Sequence, residues 1–168
     1  LRFATGMNQK AMKRLVRDNL TEVIEPIVYD DAIDLIEDHK LKGHLVVLIS
    51  ASPTEIVEPL AEHLGIGDFI ATTPVVDSEG RYTGEVEFYA AGSHKAEAIT
   101  DLSSRKNISL ENSWAYSDSS TDMPMLELVG NPVAVNPDRE LRKQAEEKNW
   151  PILEFVRPVA LGDRVPLN

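Results

Sequence analysis

The 168 residues contain no cysteine. That absence excludes disulfides, thiolate-ligated zinc and thiol nucleophiles, and it fits a reducing cytoplasm. Positive charge is also scarce: 17 Lys and Arg stand against 28 Asp and Glu, a formal net charge of −11. Nucleic acid and anionic membrane surfaces are therefore poor partners, because both need clustered cations. An anionic small molecule would need local help from a metal or a lysine. No apolar run is long enough to span a bilayer, and no signal-peptide pattern is found. The histidines, His39, His44, His63 and His94, lack metal-ligand spacing and read as solvent-facing. The chain opens on Leu1 without an initiator Met and closes on Val165-Pro166-Leu167-Asn168 without an obvious terminal element, so both ends read as cut from something longer.

What is present suffices for one domain with a real core, since 42% of the residues are hydrophobic. Met12, Leu15, Val16, Leu20, Val23 and Ile24 recur at a helical period over residues 8–24, and Pro26 ends the run. Asp30 and Asp31 can cap a second helix through Lys42, with Ala32, Ile33, Leu35 and Ile36 inward and Gly43 as its stop. Leu45-Val46-Val47-Leu48-Ile49 has no polar alternation and predicts a strand buried on both faces. Ser52-Pro53-Thr54-Glu55 reads as a capping box for a helix running to Leu64. Strands are expected at Phe69–Thr72, Trp114–Ser117, Pro132–Val135 and Pro151–Glu154. Helices are expected at Lys95–Leu102, Asp122–Leu128 and Asp138–Asn149. A β-hairpin is expected around Ser78-Glu79-Gly80. Alternating strands and helices indicate a doubly wound, Rossmann-like α/β sheet.

Three segments carry chemistry. Ser50-Ala51-Ser52 directly follows a strand, where small residues let hydroxyls and backbone N–H groups face an anion. Lys95 sits in the first turn of a helix, which is unfavourable against the helix dipole unless an anion is near. Asp118 and Asp122 flank a turn of small hydroxyl residues at the end of a strand, a place suited to a hard cation such as Mg²⁺ and the phosphate it carries. Each has a plainer reading: Ser52 and Asp122 as helix caps, Lys95 as a surface lysine, Asp118 as a turn residue. Their order along the chain ties them together.

With those residues in view, the chain resembles the haloacid dehalogenase superfamily, in its phosphoserine-phosphatase-like branch. Val47-Leu48-Ile49-Ser50-Ala51-Ser52-Pro53 resembles the second motif, Arg81-Tyr82-Thr83-Gly84 the flap strand, Gly92-Ser93-His94-Lys95 the third motif, and Ala115 to Leu126 the fourth. Val133-Ala134-Val135-Asn136-Pro137-Asp138 and Trp150-Pro151-Ile152-Leu153 also match the branch. The resemblance implies a Mg²⁺-dependent phosphomonoester hydrolase working through an aspartyl-phosphate on a small phosphorylated metabolite. In it Ser50, with Ala51 and Ser52, would bind the phosphoryl group and Lys95 would neutralise phosphate and the attacking carboxylate. Asp118 would ligate Mg²⁺, and Asp122 would orient the metal's water or hold Lys95. It further implies that residues 1–28 are the end of a helical cap and 29–168 the core, with the hairpin as flap.

The family's first motif, a strand ending in Asp-x-Asp, is absent; Asp30-Asp31 precedes a helix and does not replace it. That strand lies at the middle of the family's sheet. The simplest expectation is an N-terminally truncated sequence whose isolated residues fold poorly, since two sheet edges would stand unpaired. Ser117, where many relatives have Gly, Thr121, where phosphoserine phosphatases often have Asn, and Gly92-Ser93-His94 depart from the commoner pattern and loosen any tie to phosphoserine itself. A non-catalytic phosphate-binding or regulatory domain, and the phosphotransferase half of a bifunctional protein, are the alternatives.

Overall fold

In a computed structural model the described residues are 4–20, 22 and 28–157. They form two compact units, one from the described residues up to Ala90 together with Val156 and Arg157, the other from Ala91 to Phe155. Val23, Ile24, Pro26 and the last four residues lie outside the described set.

The first unit contains α1 (Gln9–Asp18), α2 (Asp30–Leu41), β1 (Val47–Pro53), α3 (Thr54–His63), β2 (Asp68–Val76) and β3 (Tyr82–Phe88). β1 pairs parallel to β2 from Val47↔Asp68 to Ser50↔Ala71, and β2 pairs antiparallel to β3. Ile33, Ala61, Leu64 and Ile66 form the core, with Ile36, Leu48 and Phe69 packed on it. Helix α2 closes as expected: Gly43 adopts φ 76°, its N–H donates to Lys40 O, and His44 N donates to His39 O. Asp30 and Asp31, however, occupy the first turn, and neither side chain caps the helix.

Several expectations change here. β1 is only partly buried, not buried on both faces, because it stands at the end of its sheet. The capping box does not form. β1 stays extended through Pro53, which enters α3 at φ −61° and ψ 149°. Ser52 N donates instead to Ser50 Oγ at 3.1 Å, and Glu55 turns inward, where its Oε1 accepts from Gln9 Nε2 at 2.9 Å. α1 buries no residue, and Leu15 is 57% exposed. Polar pairs join it to α3: besides Gln9–Glu55, Lys13 meets Glu58 and Arg17 meets Glu62, both at 3.2 Å. β2 runs unbroken through Pro74, which sits at a register shift against β3, where a missing N–H is tolerated. The hairpin turn is as expected, with Asp77 Oδ1 accepting from Glu79 N and Arg81 N at 2.9 Å each.

The second unit contains α4 (Ser93–Lys106), β4 (Trp114–Ser117), a 3₁₀ turn (Ser120–Asp122), α5 (Met123–Leu126), β5 (Asn131–Val135), α6 (Arg139–Lys148) and β6 (Ile152–Leu153). Its sheet is wholly parallel in the order β4-β5-β6. Leu126, Ala134, Leu141 and Ala145 are fully buried. α4 runs past Leu102 because Asn107 supplies a left-handed stop at φ 55°. β1 and β4 are thus end strands of their sheets. No described helix is long and apolar enough to cross a membrane.

Candidate active site

Ser50 belongs to the first unit, and Lys95, Asp118 and Asp122 to the second. At the end of β1 the parallel ladder breaks between Ser50 and Pro53, so Ala51 and Ser52 leave the register. Ser50 Oγ accepts from Ser52 N, and its own proton has no acceptor among the described residues. Ala51 is exposed, with its carbonyl accepting from Thr72 Oγ1 at 2.7 Å. Buried Thr72 also accepts from Ala90 N through its hydroxyl and from Thr54 Oγ1 through its carbonyl. Thr72 therefore clasps the end of β1 after Ser50, a role that no pattern in the sequence marked.

Lys95 is not a surface lysine. It lies in the first turn of α4 after Gly92, whose φ of 55° turns the chain into the helix. Only 8% of Lys95 is exposed. The anion that its place in the helix called for is Asp122: Lys95 Nζ donates to Oδ1 at 2.7 Å and to Oδ2 at 2.8 Å. Asp122 is 6% exposed and also accepts from Ser117 Oγ at 2.7 Å. It occupies the N-cap position of α5 without capping it, so the plainer reading of Asp122 fails. Both of its oxygens are engaged by its neighbours. A buried pair of this kind holds together because each charge would be costly alone.

Asp118 differs in every respect. It follows β4 directly, its carboxylate is exposed, and that carboxylate meets no hydrogen bond or ion pair among the described residues. Its backbone is held: Asp118 O accepts from Asp138 N at 2.8 Å. The Asp138 carboxylate in turn accepts from Ser120 N at 2.7 Å, Ser120 Oγ at 3.0 Å and Leu141 N at 2.7 Å. These bonds, that from Leu141 N–H foremost, hold Asp138 below the usual carboxylate range. Like Thr72, Ser117 and Asp138 were not marked as functional by the sequence: Ser117 stood out only as a departure from Gly, and Asp138 only as the end of a family-like run and the start of a helix.

No group of three or more His, Asp or Glu able to enclose a metal occurs among the described residues. The donor set nevertheless suits Mg²⁺, which keeps several waters and is held through one or two carboxylates plus substrate phosphate. Asp118 supplies one open carboxylate. Asp122, with both oxygens bound, could act on such an ion only through water.

The model of the haloacid dehalogenase-like hydrolases matches residues 1–127. A Streptomyces azureus protein named inhibition of morphological differentiation protein is 50% identical over 161 residues, 96% of this chain and 58% of that protein. A phosphoserine phosphatase of Mycobacterium tuberculosis is 36% identical over 158 residues, 92% of this chain and 50% of that protein. The crystal structure of a protein with unknown function from Bordetella pertussis Tohama I is similar with a TM-score of 0.79 at 29% identity, covering 87% of this chain and 67% of that one. The chain thus spans about half the length of the curated relatives it matches.

Proposed function

The chain belongs to the haloacid dehalogenase-like hydrolase family, and from that premise we propose that the protein carrying it is a Mg²⁺-dependent phosphomonoester hydrolase. The observation that supports this most is the division of labour at the end of β4: Asp122 is committed to Lys95, while Asp118 is left open. A structural ion pair alone would not need the second, unsatisfied acid.

In this reading Asp118 holds Mg²⁺, which when bound offsets the repulsion between the phosphate and an attacking carboxylate. Lys95, fixed by Asp122 and Ser117, neutralises a phosphoryl oxygen. Ser50, whose hydroxyl proton has no acceptor among the described residues, is the phosphoryl-binding hydroxyl of the first unit, with Ala51 and Ser52 beside it. Such charge stabilisation and positioning form the main task in phosphoryl transfer. The attacking group is an aspartate that forms an aspartyl-phosphate. Because no Asp-x-Asp occurs in these 168 residues, we place that aspartate outside them. The substrate is a small phosphorylated metabolite of the phosphoserine type, a class suggested by the name of the Mycobacterium tuberculosis relative.

Release of inorganic phosphate from O-phosphoserine and p-nitrophenyl phosphate by the full-length protein, with and without Mg²⁺, tests the reading. Binding of phosphate without turnover of any phosphomonoester would favour a non-catalytic phosphate-binding domain instead.

A further inference from the structure

Asp138 lies 20 residues beyond Asp118, on the far side of β5, yet it touches the Asp118 loop from two directions. The parallel register of β4 and β5, ending at Ser117↔Ala134, brings the two strand exits side by side. Past that point Asn136 turns the chain at φ 43°, and its side chain is fixed by exchange with the backbone of Phe155, Nδ2 donating to Phe155 O at 2.9 Å and Oδ1 accepting from Phe155 N at 2.8 Å. Asp138 therefore starts from an anchored turn. Its backbone N–H takes the Asp118 carbonyl, and its Oδ2 takes both the N–H and the hydroxyl of Ser120. The other oxygen, Oδ1, takes Leu141 N and caps α6. One residue thus ties the loop carrying the open acid to the N-terminus of a ten-residue helix.

From this geometry we propose that Asp138 is a positioning residue for the cation site: it fixes the 118–120 backbone so that the Asp118 carboxylate is presented to the metal ion without itself being bound. The proposal rests on the reading of Asp118 as the Mg²⁺ ligand. The Asp118 side chain makes no hydrogen bond or ion pair among the described residues, so its orientation depends on its backbone, which the main-chain N–H of residue 138 holds at Asp118 O and the Asp138 carboxylate holds two residues on, at Ser120. A carboxylate that holds a metal ligand in place acts on affinity as well as on structure, and losing such a partner typically weakens metal binding about 10- to 100-fold.

The cap and the clamp can be separated. Ser is as good an N-cap as Asp, but it has one oxygen and a shorter reach. Asp138→Ser should keep the bond to Leu141 N and lose Ser120. Ser120→Ala leaves the cap untouched and removes one of the two bonds from Ser120 to Asp138 Oδ2, while the main-chain bond from Asp138 N to Asp118 O stays in both variants. The measurement is Mn²⁺ binding to the full-length protein by loss of the free-ion EPR signal, with urea unfolding of each variant in parallel. We expect Asp138→Ser to bind Mn²⁺ about 10-fold or more weakly with an unfolding midpoint close to that of the parent. Ser120→Ala should weaken binding severalfold, and should add little in the Asp138→Ser background, because the two act through one contact. Parental Mn²⁺ affinity in both single variants overturns the proposal, as does a loss that only follows lost stability. Should Asp138→Ser fail to fold, Ser120→Ala decides alone. A parent protein that binds no Mn²⁺ overturns the Mg²⁺ reading itself, a different outcome from binding that the variants leave unchanged.

Discussion

Replacing Lys95 by Met tests the pair on which the site is built. Met keeps the length and the apolar stem but removes the charge. Asp122 would then keep one donor, Ser117 Oγ, in place of the three hydrogen bonds it now accepts. At 6% exposure it has little access to water that could replace the ammonium. Removing one partner of a buried ion pair costs about 3–5 kcal/mol, equivalent to a fall in Tm of roughly 6–20 °C for a chain of this size. The exposed Arg105–Asp101 pair, with 64% and 66% of the side chains accessible, is the internal control. Arg105→Met should cost about 1 kcal/mol or less. The assay is urea unfolding of the full-length protein and both variants. The sign of a third variant is informative: adding Asp122→Asn to Lys95→Met removes the stranded carboxylate, so the double variant should be more stable than Lys95→Met alone. A cost for Lys95→Met below about 1 kcal/mol, within the range of a surface pair, would refute the reasoning, as would a double variant less stable than the single one.

Other outcomes follow from single contacts. Gly130→Ala would push its Cβ into the backbone carbonyl of Glu111, and a loss of about 1–3 kcal/mol or more in urea unfolding is expected. Asp31 accepts from Val156 N, Arg157 N and Arg157 Nε, and the Arg157 backbone N–H, followed by its guanidinium, holds the carboxyl below its usual range. A depressed folded-state pKa gives stability that is present above the unfolded value of 3.8 and is lost as pH falls through the folded one. Asp31→Asn should therefore lower the urea midpoint at neutral pH, with the difference closing as pH falls below 3.8 through the folded-state value. Asp118→Asn should leave the urea midpoint unchanged, because its carboxylate is exposed and unpaired among the described residues, while Mg²⁺ binding falls in calorimetry.

Much of the fold could be read from local pattern. Val47-Leu48-Ile49 and Trp114-Ala115-Tyr116 showed their strands as short apolar runs, and Gly43 and Gly80 marked their turns through a backbone conformation that Gly adopts freely. Lys95 was legible through a conflict, a cation at the wrong end of a helix, and the conflict is resolved by Asp122, 27 residues away. The failures share a cause. Ser52-Pro53-Thr54-Glu55 has every residue of a capping box, but Gln9 supplied Glu55 with a partner 46 residues distant. Thr72, Ser117 and Asp138 act through hydrogen bonds between segments. A small polar residue that bonds to one partner outside its own element leaves no period in the sequence, so only the fold shows the partner. The Pro74 position shows the same limit, since whether a proline ends a strand depends on which side its missing N–H faces.

In the proposed function the acids at the end of β4 serve Mg²⁺-dependent phosphoryl transfer. Inorganic phosphate released from a phosphomonoester by the full-length protein, compared with its Asp118→Asn variant across a Mg²⁺ titration, tests it most directly. Turnover that requires Mg²⁺ and is abolished in the variant is the expected result. Turnover that is unchanged by chelation, or retained by Asp118→Asn, would contradict it.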